Sequence, residues 1–108
     1  MVKITSLGHA GFQIETNQHT FLVDPWISGN PASPYESYKE IEQADFVLVT
    51  HDHAEYGFED AVRICKNTNA TFIAVFELAL LAGERGCNFS GGNIGGEIQI
   101  DAVKIYFA

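Results

Sequence analysis

Between residues 45 and 85 a buried-strand pattern and an amphipathic-helix pattern alternate twice, and only a mixed α and β architecture accommodates that order. Residues 45–50 (DFVLVT) form a β-branched, apolar run that ends in polar residues, as expected of a central strand covered on both faces. Phe58, Ala61, Val62 and Cys65 then fall at i, i+3, i+4 and i+7, with Glu59, Asp60, Arg63 and Lys66 on the other face, so 58–67 reads as a helix. Asn67-Thr68-Asn69 ends it, and 71–75 (TFIAV) reads as another buried strand. A second helix is expected from about Glu77 to Arg85, with Gly86 placed to cap its C terminus.

Ahead of this run, 2–7 and 11–16 alternate apolar and polar residues, and Phe21-Leu22-Val23 suits a more deeply buried third strand within 19–24. Pro25 to Ser37 gathers three prolines, a Gly-Asn pair and several serines, which favours a long surface loop. Ser90 to Gly96 reads as flexible, and Ile98, Ile100, Val103, Ile105 and Phe107 alternate around an Asp101-Ala102 turn as a final hairpin. The expectation is one α+β domain over residues 1–108, a mixed sheet of about seven strands with two helices on one face.

The 108 residues are 46% hydrophobic, enough for a core without metal or disulfide support. A net charge of −8 gives a field that repels phosphate backbones, so no nucleic-acid partner is expected. No apolar segment is long enough to cross a bilayer and no leader pattern is present, so neither secretion nor membrane anchoring is expected. Cys65 and Cys87 fit neither a disulfide framework nor a CxxC site, and a reducing cytoplasm suits them. Cys65 lies on the apolar helix face and reads as core, while Cys87 reads as a loop thiol with no adjacent base.

Chemistry concentrates in Thr50-His51-Asp52-His53-Ala54-Glu55, because two histidines two residues apart in a tight loop can aim both imidazoles at one point. Zn²⁺ or another divalent ion is the usual occupant, but Zn²⁺ takes roughly four ligands at about 2.0–2.3 Å, so His51 and His53 make half a site. Glu55 is the nearest further oxygen, and Asp52 could orient an imidazole instead. Taken alone the pair fits equally a ligand set and two solvated loop histidines, and its place after a buried strand favours the former. Asp24, at the end of another buried strand, either lies beside that loop or simply forms a turn. His9, between Gly8 and Gly11, either lines the pocket or is an ordinary turn residue, and His19 reads as surface. The 91–96 glycines follow a helix and precede a strand, the reverse of a phosphate-binding loop.

Taken together, Leu7-Gly8-His9-Ala10-Gly11-Phe12, Leu22-Val23-Asp24-Pro25-Trp26, Thr50-His51-x-His53, Phe76-Glu77-Leu78-Ala79 and Asn93-Ile94-Gly95-Gly96 resemble the metal-dependent hydrolases of the metallo-β-lactamase superfamily, in order along the whole chain. That resemblance implies an αββα sandwich of two similar halves with the metal centre between the sheets, of which this chain matches the first half. It implies His51 and His53 as ligands of the first metal and Asp24 as a buried carboxylate supporting the loop. Two departures follow: Glu55 stands where the family has Asp, the usual partner of the metal-bound water, and Tyr56 stands where it has His. The second metal position thereby loses a ligand, since a phenol at neutral pH binds metal poorly. A third histidine ligand is expected just beyond a strand such as 103–107, where this chain ends.

Three readings follow. The chain is a metal-dependent hydrolase of small molecules that needs a complementary C-terminal half to act, with Glu55 as its candidate catalytic carboxylate. Alternatively it is a noncatalytic half-domain whose exposed sheet face drives a homodimer. A third reading is a binding module that uses Trp26 and Tyr35 in the 25–37 loop as aromatic contacts.

Overall fold

The computed structural model describes residues 2–8, 11–50, 58–93, 95–100 and 103–107. Six strands, β1 (Lys3–Gly8), β2 (Gly11–Glu15), β3 (Thr20–Val23), β4 (Phe46–Leu48), β5 (Thr71–Val75) and β6 (Asn88–Gly92), form one mixed sheet in sequence order. The first two pairings are antiparallel and the remaining three are parallel. The parallel half follows from three crossovers, the long loop between β3 and β4 and the helices α1 (Phe58–Thr68) and α2 (Phe76–Glu84), because parallel neighbours require a long return path. Strands β7 (Glu97–Ile100) and β8 (Val103–Tyr106) form a separate antiparallel pair.

Register explains the layering. Leu22, Val47 and Phe72 stand side by side across β3, β4 and β5 and are fully buried under the helices. Phe72 meets Phe58 of α1 edge-on at 5.7 Å between ring centres, and Ala61, Ile64, Cys65, Leu78 and Ala79 close the same core. The neighbouring register positions point to the opposite face, where Phe46 and Ile73 pack with Ile98 of the hairpin and with Phe21, Leu48, Ile105 and Phe107 at its margin. Both helices lie on one face, as anticipated, and the hairpin covers part of the other rather than extending the sheet.

The strand at 71–75 and the helix at 58–67 are found where periodicity puts them, α1 running one residue longer, and Gly86 takes the left-handed φ of 96° that a C-terminal cap needs. The central strand is shorter than 45–50, spanning Phe46–Leu48. The expectation of a flexible 90–96 segment is corrected at its start: residues 90–92 belong to β6, an eighth strand. Glycine serves a close approach there, because a Cβ on Gly91 would lie 2.8 Å from the Phe76 Cα at the start of α2. His19 is also not simply surface: it is half-buried, with its ring 5.6 Å from Phe46 and 6.0 Å from Phe21. Among the described residues no helix is long and apolar enough to cross a membrane.

The long loop after β3 is held to α1 by a single carboxylate. Asp60 is buried, and its Oδ2 accepts from the backbone N–H groups of Ile27 and Ser28 at 2.7 Å each while Oδ1 accepts from the Ser28 hydroxyl at 2.8 Å. Its place on the polar face of α1 is thus corrected: two loop donors with no strand partner draw it inward, and Arg63 at 3.8 Å balances its charge. Asn30 secures the loop's other side, donating to the carbonyls of Leu7 and Trp26 and accepting from the N–H of Ala32. Replacing Asp60→Ala would strand three donors and is expected to cost about 3 kcal/mol in urea unfolding, whereas Glu59→Ala on the exposed side of the same turn should cost well under ~1 kcal/mol.

Candidate metal centre

The end of the sheet that carries the parallel strands' C termini is organised around Asp24. Its backbone N–H donates to the Leu48 carbonyl at 2.8 Å, continuing the β3–β4 pairing one residue past the strand. The side chain then turns across the gap: Oδ1 accepts from the Thr50 N–H at 2.8 Å and Oδ2 accepts from the Thr50 hydroxyl at 2.6 Å. Both carboxylate oxygens therefore fix the residue that immediately precedes His51. Asp24 has a φ of 46°, a left-handed conformation that aspartate tolerates better than most residues, and Pro25 follows.

Gly11 lets the first hairpin press against this corner, since a Cβ there would lie 2.6 Å from the Asp24 carbonyl oxygen. Gly8, on the other side of the hairpin turn, has a φ of 82°. The two residues flanking His9 and Ala10 are thus placed at the same end of the sheet as Asp24, with Gly11 in direct backbone contact.

Of the residues singled out for chemistry, Asp24 is the one whose setting can be described. It is only part-buried, not fully enclosed, and it acts as a hydrogen-bond acceptor for Thr50. His9, His51, Asp52, His53, Glu55 and Tyr56 lie outside the described residues. Among the described residues no cluster of three or more His, Cys, Asp or Glu side chains could hold a metal. Thr50 precedes residues 51–57 and Asp60 lies just beyond them in α1; neither is singled out as a site residue by the sequence. For Thr50 the Asp-Pro and Thr-His junctions at neighbouring strand ends were a usable signal, whereas Asp60 gave none.

Beside Thr50 a cleft of about 330 Å³ opens between β4, β5 and the hairpin, with Leu48, Ile73, Val75, Ile105 and Phe107 among its walls. Its lining is mainly apolar, and it lies at the C-terminal ends of parallel strands, where open α/β sheets bind ligands. The aromatic groups of the 25–37 loop are engaged within the chain: Trp26 Nε1 donates to the Ser28 carbonyl at 2.8 Å and the Tyr35 hydroxyl to Gln13 Oε1 at 2.7 Å. On the helical side, the Arg85 guanidinium grips Glu59 through two hydrogen bonds of 2.8 and 3.0 Å and holds its carboxyl below the usual range. That pair ties the start of α1 to the end of α2.

Residues 3–106 match the family described as the beta-lactamase superfamily domain. A metal-dependent hydrolase of Korarchaeum cryptofilum is 41% identical over 105 residues, covering 97% of this chain and 46% of that protein. Another, from Caldivirga maquilingensis, is 45% identical over 103 residues, covering 93% of this chain and 44% of its own length. Igni18, a metallo hydrolase of Ignicoccus hospitalis, superposes with a TM-score of 0.78 at 35% identity, over 93% of this chain and 43% of that one. CmlA, a diiron β-hydroxylase from Streptomyces venezuelae, shares the fold with a TM-score of 0.68 at 19% identity, over 95% of this chain and 23% of its own. The chain spans a little under half the length of the curated relatives it matches. With the family match running through nearly every residue and the sheet, crossovers and Asp24 corner in place, this chain belongs to the metallo-β-lactamase superfamily, as the N-terminal half of its domain.

Proposed function

We propose that this chain supplies the first part of the metal site of a metal-dependent hydrolase, with His51 and His53 as ligands of a divalent ion, Zn²⁺ foremost. The observation that carries this reading is the two-point grip of Asp24 on Thr50, which spends a carboxylate on fixing the residue next to His51. Two imidazoles and a nearby carboxylate suit a borderline ion such as Zn²⁺. Asp24 supports the site from behind, its two oxygens each accepting from Thr50, the residue next to His51. A bound divalent ion supplies Lewis acidity and makes water a nucleophile near neutral pH.

Glu55, one methylene longer than the family's aspartate, would serve as the carboxylate that accepts a proton from water. Asp52 and His9 would orient the ligands and border the pocket. The cleft beside Thr50 would receive the apolar, unreacting part of a small-molecule substrate. With Tyr56 in place of a histidine and only two imidazoles in the loop, the chain is not expected to hydrolyse anything by itself. Ligands from a complementary C-terminal half would complete the site, in a protein of the cytoplasm.

A second reading, a noncatalytic half-domain that pairs with its own copy, is favoured by one feature. On the hairpin side of the sheet, Ile4 of β1 is 65% exposed and Phe12 of β2 is 44% exposed, beyond the reach of β7 and β8. Uncovered apolar side chains in a row on one sheet face suit an isologous contact.

Metal content separates these readings. Equilibrium dialysis against zinc in the presence of the remaining half of a relative is expected to load the wild-type chain and to leave His51→Ala/His53→Ala depleted, while Asp24→Ala should bind roughly tenfold more weakly or worse. Equal loading of wild type and the double variant would sink the metal-site proposal. Mixing the chain with the remaining half of a close relative should raise esterase or phosphodiesterase turnover above either part alone, and no gain would count against complementation. Light scattering at micromolar concentration addresses the second reading: a dimer that Phe12→Asp converts to monomer would support it, and a wild-type monomer would refute it.

A further inference from the structure

Two thiols that the metal segment does not use lie together in the helical core. Cys65 is on the inner face of α1, and Cys87 follows the Gly86 cap of α2 and leads into β6; both are free and buried. The Cys87 thiol donates to the Val62 carbonyl of α1 with its Sγ at 3.6 Å. In an α-helix a side chain leans toward the N terminus, over the residue three positions earlier, so Cys65 covers the same stretch of α1 that Cys87 touches. The two sulfurs therefore share one pocket. Their ionisation reflects that contact: burial pushes the Cys65 thiol far above its ordinary value and Cys87 beside it pushes it further. Burial also raises the Cys87 thiol, against the opposing pull of its hydrogen bond with Cys65 and of Lys66 and Arg85.

We propose that Cys65 and Cys87 are a redox pair that closes to a disulfide, stapling α1 to the junction of α2 and β6. Cys87 is the thiol that reacts first: burial raises both thiols, but at Cys87 the nearby Lys66 and Arg85 oppose that effect, while Cys65 has no such neighbours. With a small disulfide such as oxidised glutathione as the oxidant, the Cys87 thiolate attacks one glutathione sulfur and releases a glutathione thiolate, which takes up the proton Cys87 lost. The Cys65 thiolate then attacks the Cys87 sulfur of the mixed disulfide and expels the second glutathione as a thiol. Two protein thiols are oxidised and one glutathione disulfide is reduced to two thiols, so electrons and protons balance. The loop closed runs from 65 to 87 and contains β5 and all of α2, so its closure restricts the unfolded chain more than the folded one.

The test is to incubate the native chain with oxidised glutathione, unfold it in an alkylating reagent and weigh it. The expected product is lighter than the reduced chain by two hydrogen atoms, carries no alkyl group, and melts roughly 10 °C higher, a gain that dithiothreitol reverses. Cys65→Ser is expected to stop at the mixed disulfide on Cys87. Wild-type chain that retains two alkylatable thiols after prolonged oxidation, that carries two glutathiones, or that cross-links only between molecules would overturn the proposal. Because the mass of wild-type protein decides the matter, the result does not depend on how well the serine variant folds.

Discussion

A parallel pair of strands has no turn to finish it, so the backbone donors just beyond its last rung need acceptors from elsewhere. At the end of β3 and β4 those acceptors are the two oxygens of Asp24, which take the Thr50 N–H and hydroxyl together. The arrangement carries a cost, because a φ of 46° on a non-glycine residue stores on the order of 1 kcal/mol or more. Two hydrogen bonds to a charged acceptor offset that amount at typical strengths of about 1.5–3 kcal/mol each. Gly11 then fits against the Asp24 carbonyl, so the first hairpin, the β3 corner and the β4 exit are mutually positioned. Everything proposed for the 51–57 segment starts from that corner.

The two faces of the sheet are finished to different degrees. Under the helices, Leu22, Val47 and Phe72 leave no accessible surface, and the α1–α2 layer is further tied by Arg85 and Glu59. On the reverse face the β7–β8 hairpin covers Phe46 and Ile73 but not the β1–β2 end, where Ile4 and Phe12 remain exposed. In an αββα sandwich a second sheet packs on that side. The family relatives are more than twice as long as the stretch they share with this chain, and an uncovered apolar strip on this particular face is consistent with that difference.

Periodicity made the helices and most strands legible because each has a one-sided core: Phe58, Ala61, Val62 and Cys65 announce α1, and the TFIAV run announces β5. Strand β6 escaped because its signal is steric rather than hydrophobic; Asn-Phe-Ser-Gly-Gly reads as a turn until Phe76 is known to press on Gly91. Asp60 escaped for a related reason. A helical wheel assigns it to water, and only the two unpaired N–H groups of a loop more than thirty positions earlier in sequence bring it inside. For Asp24 the residues alone leave open a place beside the loop or a turn, and the family resemblance implies a carboxylate that supports the loop; its grip on Thr50 is the detail that only the structure supplies. His19 reads as surface because sequence offers it no polar partner, while in space its ring is packed by Phe21 and, from a strand distant in sequence, Phe46.

The two carboxylates, one read from the sequence and one missed, have a joint consequence for metal binding. Asp24 fixes Thr50 at one end of the seven residues 51–57, and Asp60, two positions into α1, fixes the other end to the 27–28 backbone. Thr50 and Asp60 are thus held by the fold before any ion arrives. The same logic distinguishes the two anchors. Loss of the Asp24 contact releases the end adjacent to His51 and should weaken binding directly, whereas loss of Asp60 also frees the 25–37 loop and lowers stability first.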